Sequence, residues 1–447
     1  MNSTCKQNDV YDVIGVGVGP FNLGLAALAD SVPEIDALFF ERNDSFNWHP
    51  GLLIEGTTLQ VPFLADLVSM ADVTSKYSFL NYLQKHNRLY SFYFLENFKI
   101  PRAEYNHYCQ WVAESLDSCR FGMNVESIAL VETVNGAVYE VRVADQTNGA
   151  ESVYFSRHIA LGIGTGPHVP EPLRDALGGE VFHSSDYLMK KRDGFKGKTV
   201  AVVGSGQSAA EIFYDLAAGG CARHVSWLTR SKGFFPMEYS NLGLEYFSPD
   251  YIDFFYQLPQ WKKDELLREQ DLLYKGISAK TISDIYHLLY ERTAAGRAAA
   301  FDLQSMTEVK RIERAAGSFI LHCSHRVNEE RFERRADAVI LATGYKERMP
   351  EFLAPINGLI EKDDSGRFAV TRDYRLKTTA KTDSRIFVQN GELHTHGVGA
   401  PDLGLGAYRN SVIINQLAGR EVYPVSHKTV FQTFGTGSKE KAAVPNG

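Results

Sequence analysis

The chain has 447 residues, 44% hydrophobic and 23% charged, which is enough for two or three domains with sizeable cores. A formal net charge of −7 argues against a nucleic-acid or anionic-membrane partner and leaves cationic small molecules open. The five cysteines (Cys5, Cys109, Cys119, Cys221 and Cys323) form no CxxC and are odd in number, so neither a disulfide framework nor a zinc site is expected. The start has no basic stretch ahead of an apolar run, and no apolar run reaches membrane-spanning length. The expected compartment is the cytoplasm.

In chain order, the first residues are polar and expected to be loose. "VYDVIGVGVGPFNLGLAALAD" (10–30) reads as strand, glycine turn and helix, followed by a strand at "ALFFER" (37–42). "LQVPFLADLVSMAD" (59–72) carries Phe63, Leu64, Leu67, Val68 and Ala71 at helical spacing, with Ala65 and Asp66 off that stripe. The region from "LLIEGTT" through "YSFLNYLQKHNRLY" (52–90) mixes loop and amphipathic helix, "RAEYNHYCQWVAESL" (102–116) is a helix, and "SVYFSRHIALGIGTGP" (152–167) is a strand entering a second glycine turn. "KTVAVVGSGQSAAEIFYDLAAGG" (198–220) repeats the opening pattern, with its next strand at "HVSWLTR" (224–230). From Phe234 to Ala300 no good strand is visible; 259–276 and 279–300 read as helices. Strands resume at "SFILHCSH" (318–325) and "ADAVILATGY" (336–345), and the tail "FGTGSKEKAAVPNG" (434–447) is expected to be disordered.

The first repeat carries Gly15-x-Gly17-x-Gly19-Pro20. In such a unit the first glycine makes the tight turn and the second lets backbone approach a pyrophosphate at the helix N-terminus. Pro20 suits a first helical turn, where its missing N–H has no intrahelical partner. Glu41 ends the next strand, where an acid meets the adenosine ribose. The second repeat carries Gly204-Ser205-Gly206-Gln207-Ser208-Ala209, and its next strand ends at Thr229-Arg230 with no acid. Arg230 suits a 2′-phosphate, which points to NADPH over NADH. Two such units in one chain indicate a flavin together with a nicotinamide. "ILATGY" (340–345), with Thr343 and Gly344, reads as the return strand of a two-site flavoprotein, and "LGIGTGP" (161–167) as its partner at the earlier domain crossing.

The expected architecture is α/β, with two Rossmann-like dinucleotide-binding domains and a helical substrate insertion. FAD takes 1–180 and 341–447, NADPH takes 181–236 and 298–340, and the insertion is 237–297. No redox cysteine pair is present, which excludes a disulfide reductase. A monooxygenase needs none, because reduced flavin itself reacts with oxygen. "GGEVFHSSDY" (178–187) contains Gly179-x-x-x-His183-x-x-x-Tyr187, similar to a flavin monooxygenase signature, although His183 could equally be a packed loop residue.

The sequence resembles the microbial N-hydroxylating flavin monooxygenases of hydroxamate-siderophore biosynthesis, which act on lysine N6, ornithine N5 or diamines. The resemblance rests on the first glycine unit with its proline variant, "FNWHPG" (46–51), "LQVPFLADLVS" (59–69), "YSFLNYL" (77–83), "VVGSGQSAAEIF" (202–213), "LATGY" (341–345) and "HTHGVGAPDLGLGAYR" (394–409), in one order from residue 11 to about 415. It implies that NADPH reduces FAD, that NADP+ stays bound, that reduced FAD captures oxygen as a C4a-hydroperoxide, and that the substrate amine attacks the distal oxygen. The attacking amine must be neutral although an alkylamine has a pKa of about 10.4, so the site must favour the free amine by desolvation. Neither a metal nor a protein nucleophile is implied. By the match, Trp48, His49 and Gln60 lie around the flavin, Leu403, Gly404 and Leu405 near its isoalloxazine end, and 204–209 with Arg230 hold NADPH. A homotetramer is implied as well.

In the amino-acid hydroxylases the segment matching 59–69 reads approximately "MQxxFLKDL", and its lysine contacts the substrate carboxylate. Here Ala65 occupies that position. Removing one partner of a buried ion pair costs about 3–5 kcal/mol, so a substrate without a carboxylate is expected: putrescine or cadaverine. The ornithine enzymes also place an asparagine in the helical domain, and its nearest match here is Leu244. A diamine brings a distal ammonium, for which Glu238, Glu245 or Asp250, with Tyr239, Tyr246 or Phe247, are candidates within 237–257. The other readings are a lysine or ornithine N-hydroxylase, which Ala65 opposes, and a non-catalytic NADPH-responsive flavoprotein.

Overall fold

The computed structural model describes residues 10–191, 194–220, 222–426 and 428–436. The polar start, Cys5, Cys221 and tail residues 437–447 lie outside them. Strand Val10–Val16 is central in a seven-stranded sheet. On one side it pairs in parallel with Ala37–Phe40, and that strand with Cys119–Arg120. On the other it pairs in parallel with Glu151–Leu161, which also takes Arg385–Val388 in parallel. From Glu151–Leu161 the sheet continues antiparallel through Gly136–Asp145 to Met123–Thr133. Helix Pro20–Ala29 starts with proline in its first turn, has Gly19 as N-cap, and is buried along most of its length against the sheet.

The second sheet has five parallel strands, in the order Phe301–Gln304, His224–Leu228, Thr199–Val203, Ala338–Leu341, Val181–His183. Its central strands are near-continuous apolar runs, as expected where both faces are covered. Helix Gln207–Gly219 covers one face; Ile285, from helix Ala279–Thr293, joins the same apolar cluster. A three-stranded antiparallel sheet, Thr307–Ala315, Ser318–His325 and Arg331–Ala336, is interposed before Ala338–Leu341. The chain crosses between the two nucleotide-type sheets twice. The crossings meet as a short antiparallel pair, Gly166–Pro167 with Tyr345–Lys346. The architecture is therefore α/β, with two Rossmann-like domains.

The helical insertion comprises Asn241–Leu244, Pro249–Tyr256, Gln260–Glu269, Asp271–Tyr274 and Ala279–Thr293. Its core of Tyr251, Phe255, Leu267 and Leu273 includes Val398 from the loop after the last sheet strand, so insertion and loop share one apolar cluster.

Three expectations are corrected. Residues 59–72 form turns, not a helix. The buried Asp66 carboxylate accepts the N–H groups of Val68, Ser69 and Phe79 and the Ser69 hydroxyl, and these bonds hold the backbone off the helical path. Leu64, placed on the apolar stripe, is 44% exposed. The tail does not loosen at Phe434: that ring lies against Tyr246 and Tyr251, with centroids at 5.1 and 5.0 Å.

Candidate active site

Each glycine turn has the shape a nucleotide needs. A Cβ on Gly17, which has φ of +83°, would lie 2.7 Å from the Gly162 carbonyl oxygen. A Cβ on Gly204, at φ +148°, would lie 2.2 Å from the Ala342 carbonyl oxygen. These two glycines therefore bring each turn against a neighbouring strand end. Gly206 differs, because a Cβ there would meet nothing within 4 Å. Gly19 and Gly206 are helix N-caps without a side-chain cap, so first-turn N–H groups remain available to an anion. Glu41 reaches back to the first turn, accepting the Val18 N–H at 2.9 Å. In the second unit the Ser231 hydroxyl donates to Ser205 at 2.9 Å, and the Trp227 indole donates to the Gly204 carbonyl at 2.7 Å. Arg230 is exposed at the strand end.

Not every residue of the second unit faces a nucleotide. The Gln207 side chain donates to Glu211 and Thr281 and accepts the Ser278 N–H, joining helix Gln207–Gly219 to the insertion. Its backbone starts the helix, while its amide is committed to structure. Glu211 is paired with Arg102 of the first domain at 2.6 and 2.8 Å, a buried link between the two domains.

The segment 46–60 carries Trp48, His49 and Gln60. The Trp48 N–H is held by Asn106 at 2.7 Å, and its ring packs edge-on to His49 and Tyr105. His49 has a left-handed backbone, φ +50°, and is exposed. Surrounding protein and the Arg102 cation push its imidazole pKa down, to about 4, so it is neutral. Gln60 donates to the Thr58 carbonyl, whereas its buried Oε1 has no partner among the described residues. Thr343 and Gly344 sit at the crossing: the Thr343 hydroxyl donates to the His168 carbonyl, and the Gly344 carbonyl accepts the His168 N–H. His183 is buried, with Nε2 on that same carbonyl at 3.0 Å and Nδ1 on the Ser185 N–H at 3.1 Å. The carbonyl makes Nε2 the donor and Nδ1 the acceptor. Its role is to clamp the crossing.

Residues 392–409 form a braced loop. Buried Glu392 and Arg409 pair at 2.7 Å, and Arg409 also donates to the Ala400 carbonyl at 2.6 Å. His396 donates to the Arg372 carbonyl and stacks on Tyr374. Both histidines of "HTHG" are buried and bonded to backbone carbonyls, which leaves neither for chemistry. The brace ends in a 3-10 turn, Leu403–Leu405, capped by Asp402, whose carboxylate accepts the Gly404 N–H at 2.7 Å.

A model of the L-lysine 6-monooxygenase/L-ornithine 5-monooxygenase family matches residues 9–347. The chain belongs to this family. It is 45% identical over 443 residues to the rhizobactin siderophore biosynthesis protein RhbE of Rhizobium meliloti (strain 1021), covering 97% of this chain and 96% of that protein. It is 41% identical over 442 residues to the putrescine N-hydroxylase of Shewanella oneidensis, covering 97% of this chain and 86% of that protein. Among solved structures it is similar to DfoA bound to FAD, the desferrioxamine-pathway cadaverine monooxygenase of Erwinia amylovora. There the TM-score is 0.90 at 41% identity, over 96% of this chain and 99% of that one.

Within this family frame, Ala65 is buried at 6% exposure and contributes no polar group. The residues expected to meet a distal ammonium are dispersed. Glu245 accepts the N–H groups of Phe431 and Gln432, and Asp250 accepts the N–H and hydroxyl of Thr429. Both are therefore engaged by the C-terminal segment. Glu238 accepts the Ser240 N–H on an exposed turn, and Leu244 is exposed. Tyr246 is partly buried against the core of the insertion. Tyr239 alone of this group lies close enough to Asp402 for the carboxylate charge to act on it; burial and that charge raise its pKa to about 12. Sequence reasoning missed Asn22, Asp402 and the Glu392–Arg409 pair. Asn22 is fully buried and donates to the Val16, Gly17 and Ala160 carbonyls, fixing the first glycine turn to its neighbouring strand. An asparagine in the first turn of an otherwise apolar helix was the available signal.

Proposed function

We propose that this family member catalyses FAD- and NADPH-dependent N-hydroxylation of an aliphatic diamine, putrescine or cadaverine, giving an N-hydroxydiamine for hydroxamate siderophore assembly. The observation that carries the substrate class is Ala65: it is a buried methyl, at the position where the family resemblance places a lysine in the amino-acid hydroxylases. The relatives named for putrescine and cadaverine support the same reading. FAD fits the residues present. The first glycine turn offers uncapped N–H groups, Glu41 stands beside it for the ribose hydroxyls, and the buried, unpartnered Gln60 Oε1 offers an acceptor. Trp48, His49 and Leu403–Leu405 line the rest of the flavin site in this reading. Ser205, Gly206, Ser208, Ala209 and Arg230 hold NADPH, with Arg230 on the 2′-phosphate.

When bound, the flavin supplies the oxygen activation. The chain supplies the conditions. Desolvation of the pocket favours the free amine and excludes water from the reactive oxygen species. The cytoplasm is the compartment of this reading, in keeping with buried, free Cys109, Cys119 and Cys323. A homo-oligomer also belongs to it; the exposed Tyr90, Tyr93 and Phe94 on helix Leu89–Leu95 offer an apolar face. No helix among the described residues is long and apolar enough to cross a membrane.

The test is hydroxylamine formation across putrescine, cadaverine, lysine and ornithine, with NADPH oxidation followed in parallel. Hydroxylamine from the diamines is expected. Strong turnover of lysine or ornithine with none of the diamines refutes the reading. A yellow protein that forms no hydroxylamine from any amine would support the non-catalytic alternative.

A further inference from the structure

Removing a lysine explains why a carboxylate is not held, but it does not explain what holds a second ammonium. Several acids of the insertion and the surrounding segments are already engaged. Glu245 and Asp250 are bonded to the C-terminal segment, Asp253 to Arg372, Asp264 to Arg367, and Glu238 to its own turn. Asp402 likewise caps its own turn, accepting the Gly404 N–H, but it differs in standing beside Ala65. A point 2.8 Å from its Oδ1, where Gly404 would carry a Cβ, is 3.8 Å from the Ala65 methyl. The carboxylate and the position of the missing lysine therefore flank the same glycine. No lysine or arginine forms an ion pair with Asp402 among the described residues. The nearby Arg409 uses Nη2 for Glu392 and the Ala400 carbonyl, while its Nε and Nη1 have no partner among the described residues. The Asp402 charge acts on Tyr239, whose ring carries the Lys99 ammonium at 4.8 Å, and the Phe247 Cα lies 4.0 Å from the Cβ position of Gly399.

Resting on the diamine reading above, we propose that the Asp402 carboxylate is the counter-ion for the distal ammonium of the substrate. The site has then not merely lost a cation at position 65. It presents an anion to the same space, and so selects a substrate head of opposite charge. Burial raises the Asp402 pKa to about 6 while the Gly404 and Leu405 N–H groups and Arg409 oppose that rise. A buried carboxylate with backbone N–H donors but no ion-pair partner among the described residues gains from an incoming ammonium.

Asp402→Asn is the informative variant, because asparagine caps a turn as well as aspartate does and removes only the charge. The FAD-loaded full chain is compared with this variant on putrescine and cadaverine against butylamine and pentylamine, which lack the second ammonium. Dissociation constants and hydroxylamine formation are both measured. The diamine-over-monoamine preference in binding should fall at least tenfold in the variant, with FAD content and melting temperature close to wild type. An Asp402→Glu variant should keep part of the preference. An Asn variant with undiminished diamine preference overturns the proposal, as does wild-type protein that binds monoamines as well as diamines. Diamine binding that depends on Asp402 without hydroxylamine formation supports the counter-ion while refuting the proposed reaction.

Discussion

Replacing Arg102 by alanine leaves the Glu211 carboxylate inside the interface between the two nucleotide-type domains. The pair is bidentate, at 2.6 and 2.8 Å, with the side chains 12% and 5% exposed. After the replacement only the Gln207 amide still donates to Glu211. Breaking a buried pair from one side costs about 3–5 kcal/mol. For units of this size each kcal/mol shifts melting by about 2–4 °C, so a fall of roughly 6–20 °C is expected. Glu211→Gln should cost less, because Arg102 retains the Leu52 carbonyl and some solvent. Replacing both, Arg102→Met with Glu211→Leu, removes the unpaired charge and should recover most of the loss. The pH dependence has a definite sign. Burial already raises the Glu211 pKa above 4.5 despite Arg102, and losing Arg102 raises it further. A carboxyl with a raised folded pKa binds its proton first in the folded state, so stability falls as pH rises through that pKa. The deficit of Arg102→Ala should be largest at neutral pH and shrink on acidification toward about 4.5. Thermal and urea unfolding of the FAD-loaded protein give all of these quantities. Single variants within 1 kcal/mol of wild type by roughly additive effects, or a deficit independent of pH, would refute the reasoning.

Gly204→Ala places a methyl 2.2 Å from the Ala342 carbonyl at φ +148°, so it should destabilise the fold by more than about 1–3 kcal/mol. Gly206→Ala meets open space and should melt like wild type while the KM for NADPH rises about tenfold, a loss of about 1.4 kcal/mol; equal effects on melting would contradict this. Arg230→Gln should lower the NADPH-over-NADH preference by the worth of a charged hydrogen bond, about 1.5–3 kcal/mol, read from the two kcat/KM values. Because Asp402 titrates near pH 6, the diamine KM relative to that of a monoamine should rise as pH falls through that value; Arg409 and the Gly404 and Leu405 N–H groups face the same carboxylate and set where the midpoint falls.

The glycine units were readable because each is a local sequence of strand, turn and helix, and local patterns survive without knowledge of the partners. The helical insertion was readable for the same reason. Residues 59–72 were misread because apolar spacing does not reveal a buried carboxylate that takes the backbone N–H groups of Val68 and Ser69 within the segment and ties it to Phe79, the start of the next helix. The hairpin between Met123–Thr133 and Gly136–Asp145 had a local signal, Asn135-Gly136 between alternating apolar residues, that went unused. Asp402 could not be found locally. On its own it is an acid in a glycine-rich loop, and only folding sets it beside Ala65 and Tyr239. Glu245 and Asp250 misled for the converse reason: they lie in the right insertion, but the chain's own C-terminal segment claims them.

Ala65→Lys brings these strands of reasoning to a single test. By the family resemblance, a lysine at this position would hold the carboxylate of an amino-acid substrate. Here its ammonium would grow into the space that Asp402 flanks, and the two would pair. At about 4 Å and an effective dielectric constant of about 20, that attraction is about 4 kcal/mol before desolvation, enough to compete with an incoming diamine. The single variant should therefore lose diamine affinity without gaining ornithine or lysine, because its new cation is neutralised by the neighbouring carboxylate. Ala65→Lys with Asp402→Asn frees the cation and should admit an amino acid. The asymmetry matters for a symmetrical substrate. Both nitrogens of a diamine are protonated in water, yet one must arrive neutral and the other charged. One carboxylate at one end of the site divides those roles, because it stabilises the ammonium there and leaves desolvation to strip the proton from the nitrogen at the other end. Substrate assays on the single and double variants decide it. An Ala65→Lys enzyme that hydroxylates ornithine with Asp402 intact would show that the two positions do not share a space.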